Sequence, residues 1–326
     1  MVLSRVVGTG SAVPEKVLAN TDLEKTVDTT DEWITTRTGI KERRIASEDE
    51  YTSVFATRAA ERALEMAGLT PMDLDLIIVA TVTPDFPFPA TACLVQNNLK
   101  AGKAAAFDIS AACSGFLYGV TIANSLIQSG MAKRALVIGA ETLTRITDWT
   151  DRNSCVLFGD GAGAVILEAR EGENGILGAR IHSDGSYWEL LHQPACGSRN
   201  PVSARVIDEN LAFIKMQGNE VFKLAVRAME DAANEVLAME GLQTADIDLF
   251  IPHQANKRII DAIGKRLGLE KEKVYVNLDR FGNTSAASIP IALDEANRNG
   301  RLKENDILLL DSFGGGLTWA SILLRW

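Results

Sequence analysis

Histidine is scarce in this chain: only His182, His192 and His253 occur among 326 residues. Chemistry that needs an imidazole therefore has three candidates. Cysteine is nearly as scarce, with Cys93, Cys113, Cys155 and Cys196 scattered along the middle of the chain. They form no C-x-x-C pair, which argues against a disulfide framework or a zinc site. Long apolar runs are also missing. Stretches such as Leu76–Val82 have strand length, far short of the ~20 residues a membrane-spanning helix needs. The first residues, Met1-Val-Leu-Ser-Arg-Val-Val-Gly, lack the order of a secretory signal, a basic region followed by a longer apolar one. These absences lead to the expectation of a reducing, cytoplasmic setting, with no metal and no membrane partner. Positive charge is in deficit too: Lys+Arg 33 against Asp+Glu 43 gives a net charge of −10. Duplex nucleic acid and anionic membranes demand clustered positive charge, so neither is expected as the main partner.

What is present is an ordinary globular composition, 46% apolar and 23% charged. The length suits about two domains or one large one. Strand-like apolar runs alternate with helical patterns. Ser53–Ala67 sets Phe55, Ala59, Leu64 and Met66 at roughly helical spacing, with Gly68 as a stop. Asp73–Thr83 then reads as a strand buried on both faces. Further strands are predicted at Ala104–Ile109, Arg134–Gly139, Val156–Glu168, Asp248–Ile251, Val274–Leu278 and Asp306–Asp311. Helices are predicted at Ser114–Ser129, Val221–Met239 and Ala255–Leu267. Such alternation means an α/β sheet.

The chain also repeats itself. Residues Ala59–Leu76 align without a gap to Ala232–Leu249, sharing a Gly-Leu and an Asp-x-Asp-Leu pattern. A second echo pairs Phe158-Gly-Asp-Gly161 with Phe313-Gly-Gly-Gly316. Two similar halves are therefore expected, 1–172 and 173–326, joined near Arg170–Gly178. The Gly/Pro/Ser-rich stretch Gln193–Val202 reads as a surface excursion.

Three residues stand out chemically. Cys113, in Ile109-Ser-Ala-Ala-Cys-Ser-Gly115, falls between a strand end and a helix start among small neighbours. A helix N-terminus favours an anion, so a lowered thiol pKa and a nucleophilic thiolate are expected there. Cys93, Cys155 and Cys196 lack that setting and read as bystanders. His253 follows a strand and Pro252, at the kind of strand end where ligands bind in α/β sheets. The corresponding stretch of the first half, Thr81-Val-Thr83, has no histidine, so the repeat itself does not demand one. Asn283 lies in Gly282-Asn-Thr-Ser285, a turn by composition. Phe313-Gly-Gly-Gly316 offers a bare backbone that can approach an oxyanion.

Taken together, six segments resemble the β-ketoacyl-acyl-carrier-protein synthase III family, initiating condensing enzymes of the thiolase superfamily. They are Thr36–Arg43, Asp108–Gly115, Phe158–Gly163, Pro252–Asn256, Gly282–Ser285 and Phe313–Gly316. The resemblance implies a duplicated α/β/α/β/α five-layer fold and a homodimer. It implies a catalytic triad of Cys113, His253 and Asn283, with the backbone amides of Cys113 and Gly315 as oxyanion hole. Acyl-CoA and malonyl-acyl carrier protein are the implied substrates, with no cofactor. Thr29, Trp33, Arg37, Arg152, Gly218, Phe222, Ala255 and Asn256 would contact CoA. Lys223, Lys257, Arg258, Lys265 and Arg266 would dock the acidic carrier protein, and Phe88 would gate the acyl pocket. Acetyl is the default primer by this resemblance. The alternative is a related condensing enzyme of secondary metabolism with a different primer. A cysteine hydrolase shares Cys, His and Asn, but neither the internal duplication nor the Trp33/Arg37 region fits it.

Overall fold

The structure, a computed structural model, describes residues 2–326. Nine strands make two main sheets: β1 Val2–Ala12, β2 Leu76–Ala80, β3 Ala105–Ile109, β4 Arg134–Thr142, β5 Asp160–Glu171, β6 Gly175–Ser183, β7 Leu249–Pro252, β8 Ile307–Gly314 and β9 Thr318–Arg325. The first sheet has the order β1-β5-β4-β2-β3 and the second β7-β8-β9-β6. Read from β6, the second repeats the first. In both, two antiparallel pairings are followed by a parallel one.

Helices sort into layers by their apolar faces. One outer layer consists of the helices Thr52–Ala67 and Thr91–Leu99, whose buried Phe55, Ala59, Val95 and Leu99 pack on one side of the first sheet. A central layer, Gly115–Gln128 and Ser288–Arg298, places Phe116, Leu117, Ile289 and Leu293 between the sheets. The other outer layer, Gly218–Met239 and Lys257–Arg266, covers the second sheet with Val226, Val236, Ile263 and their neighbours. This is the five-layer α/β fold expected. Strands enclosed by helices on both sides must be apolar throughout, and β2, Leu-Ile-Ile-Val-Ala, is fully buried.

The aligned repeat units share one local structure. Each is a long helix, then a 3₁₀ turn (Pro71–Asp73, Thr244–Asp246), then a parallel strand. Asp75 accepts from the amide of Arg134 on the neighbouring strand, and Asp248 accepts from that of Ile307 in the same way.

Several boundaries differ from expectation. Met66 is exposed rather than packed. Strand β5 starts at Asp160, because Arg152–Cys155 is a helical turn capped by Asp151 and the chain straightens only afterwards. Pro252 is the last residue of β7 rather than the one beyond it. The following helix begins at Lys257, since Asn256 caps it by accepting the Arg258 amide. Val274–Leu278 is not a strand: only Val274 bridges to Phe250, and Leu278–Phe281 is a helical turn. Gln193–Val202 is irregular and mostly exposed, as expected.

Candidate active site

Both halves deliver a tight turn to the middle of the molecule. In the first, the 3₁₀ turn Ala112–Ser114 carries Cys113, with Ala112 at φ 45°. In the second, the turn Ser285–Ala287 has Ser285 at φ 47°. Left-handed backbone is rare for residues with a side chain and is typically retained at functional sites. The turns correspond residue for residue, so Ala286 is the counterpart of Cys113. Only the first of these two turns carries a thiol.

Cys113 precedes the helix Gly115–Gln128 and is buried. Burial pushes its thiol up to about 11, outweighing the nearby Ser285 hydroxyl, which favours the thiolate. This reverses the expectation of a lowered pKa: desolvation of the anion dominates over the helix N-terminus. At rest Cys113 is a thiol. Cys93 and Cys196 are exposed, Cys155 is buried, and all four cysteines are free.

His253 sits just after β7, with its amide donating to the Asp311 carbonyl at 2.8 Å. Burial pulls its imidazole down to about 4, so the ring is neutral. Its Nδ1 lies 2.7 Å from the Ser288 hydroxyl, which itself accepts the Gln254 amide at 3.4 Å. A hydroxyl that accepts from Gln254 is free to donate to Nδ1, and the ring proton then resides on Nε2. Asn283 Oδ1 accepts the Ser285 amide at 2.9 Å. Its side-chain NH₂ is thereby left to donate elsewhere.

Cys113, His253 and Asn283 line one cavity of about 740 Å³. Trp33, Arg37, Gly218, Phe222, Ala255, Asn256, Lys223 and Arg258 line it as well. Thr29 and Arg152 do not. Arg152 nevertheless stacks its guanidinium 4.9 Å above the Trp33 ring and donates to the Asp28 carbonyl. Arg37 lies 5.7 Å from the same ring. The Thr29 hydroxyl is buried without a hydrogen-bond partner. Asn256 donates to the Arg37 carbonyl at 3.2 Å, tying the Trp33 helix to the helix that follows His253. Gly315 is near Ala112 and Leu191, beside the turn that carries Cys113.

The basic residues divide. Lys223, Lys257 and Arg266 are paired with Glu220, Asp261 and Glu230. Among the described residues, Arg258 and Lys265 have no carboxylate partner; Arg258 lies over the Phe222 ring at 5.7 Å. Phe88 is 84% exposed and outside this cavity. Among the described residues no group of His, Cys, Asp and Glu could hold a metal ion, and no helix is long and apolar enough to cross a membrane.

Sequence reasoning singles out Cys113, His253 and Asn283, which line one cavity, but misses two residues packed behind them. Ser288 belongs to the same small-residue run as Asn283, yet nothing in that run singles it out. Glu141 is also missed; a lone carboxylate closing an otherwise apolar strand is the signal that points to it.

A duplicated five-layer fold with a buried thiol, a neutral histidine and an asparagine amide around one cavity defines a condensing enzyme of the thiolase type. Comparison with known proteins narrows the class. Family models described as 3-oxoacyl-[acyl-carrier-protein (ACP)] synthase III and its C-terminal region match residues 107–185 and 237–326. The beta-ketoacyl-[acyl-carrier-protein] synthase III of Caldanaerobacter subterraneus subsp. tengcongensis is 58% identical over 325 residues, covering 100% of this chain and 98% of that protein. A crystal structure of 3-oxoacyl-[acyl-carrier-protein] synthase III from Aquifex aeolicus has 54% identity and a TM-score of 0.93, covering 99% of this chain and 100% of the other. The priming beta-ketosynthase of the R1128 polyketide pathway has 37% identity and a TM-score of 0.91, covering 99% and 96%. The chain belongs to the β-ketoacyl-acyl-carrier-protein synthase III family. It is an acyl-transferring enzyme that carries out the initiating condensation of fatty acid synthesis.

Proposed function

We propose that this enzyme works by a ping-pong mechanism through an acyl-Cys113 thioester. Cys113 attacks the carbonyl of an acyl-CoA, acetyl-CoA by default, and CoA leaves. Malonyl-acyl carrier protein then enters and loses CO₂. His253 Nε2 and the Asn283 amide donate to the enolate oxygen that develops, and the carbanion attacks the thioester to give 3-ketoacyl-acyl carrier protein. Backbone amides of Cys113 and Gly315 hold the tetrahedral oxyanions. Decarboxylation needs charge stabilisation rather than a strong base, and two neutral donors in a dry pocket supply it. One observation carries the reading: three residues from distant parts of the sequence converge on one cavity whose wall includes Trp33 and Arg37.

In this reading Thr29, Trp33, Arg37 and Arg152 take the CoA nucleotide. Arg152 swings off Trp33 to admit the adenine between them. Gly218, Phe222, Ala255 and Asn256 line the pantetheine path. Arg258 and Lys265 supply the free positive charge for carrier protein, flanked by Lys223, Lys257 and Arg266. The enzyme acts without a cofactor, in the cytoplasm, as a homodimer. The exposed Phe88 of each subunit gates the acyl pocket of the other. The two halves divide at 172/173, with the nucleophile in one and both donors in the other.

The test is an assay of CO₂ release and 3-ketoacyl product from malonyl-acyl carrier protein with a panel of acyl-CoA primers. Acetyl-CoA is expected to turn over fastest, and Cys113→Ala to be inactive. A strong preference for a long or branched primer would point instead to specialised metabolism, and hydrolysis without condensation would refute the reading.

A further inference from the structure

Glu141, near the end of β4, is wholly buried, and the mechanism above gives it no task. Its carboxyl is caged by donors from one loop: Thr83 Oγ1 at 2.5 Å, Thr81 Oγ1 at 3.2 Å and the Val82 amide at 3.1 Å. No lysine, arginine or histidine pairs with it among the described residues. Nearby carboxylates are committed elsewhere. Asp85 faces Ser53, Asp108 the amides of Thr91 and Ala92, and Asp160 Ala46 and Thr144. The titratable group Glu141 does influence is Cys113.

The link between them is Ser285. Its hydroxyl lies close enough to the Cys113 thiol and the Glu141 carboxyl to favour the charged form of each, and its turn touches both the Ala112–Ser114 turn and β4. Its left-handed backbone is fixed by the amide's bond to Asn283 Oδ1. The turn is pressed onto β4 closely enough that a Cβ at Gly139 would collide with the Ala286 carbonyl. Thiol, hydroxyl and carboxyl thus form a buried chain behind the nucleophile, separate in task from the His253 and Asn283 donors.

We propose that Glu141 is a positioning residue that, through Ser285, takes up the Cys113 proton during acylation and gives it back during condensation. In acylation the S–H proton passes to Ser285 Oγ as the Ser285 proton passes to Glu141. The thiolate bonds to the acyl carbon, and CoA departs as its thiolate. The single buried negative charge moves from carboxylate to sulfur to leaving group, so the dry site never holds two. In condensation the C–S bond to Cys113 breaks, and the sulfur is reprotonated along the same path, restoring carboxylate and thiol. Burial lifts the Glu141 carboxyl to about 7, where it can both accept and release a proton near neutrality. Acylation should therefore rise with pH through that region.

This inference rests on Cys113 being the acylated residue. The test measures single-turnover acylation of the whole enzyme by acetyl-CoA against pH, for wild type, Glu141→Gln, Glu141→Asp and Ser285→Ala, with the adduct located by mass spectrometry. Glu141→Gln is expected to slow acylation at pH 7.5 by about a hundredfold and to lose the inflection near 7. Ser285→Ala should lose the same inflection with Glu141 intact, and Glu141→Asp should retain one. Should Glu141→Gln fail to fold, Ser285→Ala and Glu141→Asp carry the test. Wild-type rates and an unchanged inflection in the variants that fold would overturn the relay. An adduct away from Cys113 would instead overturn the underlying mechanism.

Discussion

Cys113 and His253 are both neutral at rest, the thiol raised to about 11 and the imidazole lowered to about 4. They therefore do not form a thiolate–imidazolium pair at neutral pH. His253 is left as a hydrogen-bond donor, the part proposed for it in decarboxylation. His253→Ala is expected to slow CO₂ release by about a hundredfold or more, the usual cost of one oxyanion donor. Acylation by acyl-CoA should change far less. Because the ring stays neutral above about 4, CO₂ release by the acyl-enzyme should show no inflection at 6.5 assignable to His253. An inflection there that vanishes in His253→Gln would contradict the neutral-donor role. At this scale the sequence is informative about identity and misleading about charge state. Residue type and neighbours mark Cys113, His253 and Asn283, whereas the thiol's pKa depends on burial by chain segments two hundred residues away, Gly314 among them.

Among the elements, the decisive ones are the two short turns at Ala112–Ser114 and Ser285–Ala287, with the Gly-rich hairpin that meets the first. A Cβ added at Gly314 would stand 2.6 Å from the Cys113 amide nitrogen and 3.1 Å from its Cβ. Gly314→Ala should displace the nucleophile turn and lower acylation at least about tenfold, since small misplacements are costly in a positioned site. Gly68 is the contrast. It ends the helix Thr52–Ala67 at φ 64°, and a Cβ added there would have no neighbour within 4 Å. Gly68→Ala should therefore cost about 1 kcal/mol of stability, the strain of left-handed backbone alone, and leave acylation unchanged. Thermal unfolding and single-turnover acylation on both variants check the pair. Long helices and buried strands are legible in the sequence because their apolar period is strong. Val274–Leu278 is not, for a specific reason. The Gln254 carboxamide, reaching from after β7, bonds the Tyr275 carbonyl and the Asn277 amide. A side chain thus satisfies backbone groups that a sheet edge would otherwise pair.

On the scale of the whole molecule, a net charge of −10 coexists with unpaired Arg258 beside the cavity and Lys265 on the same helix. For an acidic carrier protein, such local charge governs encounter more than the global sum does. Arg258→Glu is expected to raise the KM for malonyl-acyl carrier protein about tenfold, the effect of losing roughly 1.4 kcal/mol of attraction, while acylation by acyl-CoA survives better. Equal loss in both half-reactions would remove the docking role. The duplication is visible in the ungapped match of Ala59–Leu76 with Ala232–Leu249. The pairing of the two central turns is not, because Ala112–Ser114 and Ser285–Ala287 share a backbone conformation but little sequence.

The central claim is that one thiol holds the acyl group between two half-reactions. Intact-protein and peptide mass spectrometry after a pulse of acetyl-CoA, followed by a chase with malonyl-acyl carrier protein, tests it most directly. The account predicts one acetyl group on the peptide bearing Cys113, discharged by the chase with release of CO₂ and formation of 3-ketoacyl product, and no adduct in Cys113→Ala. An acetyl group on another residue, or condensation by Cys113→Ala, would contradict it.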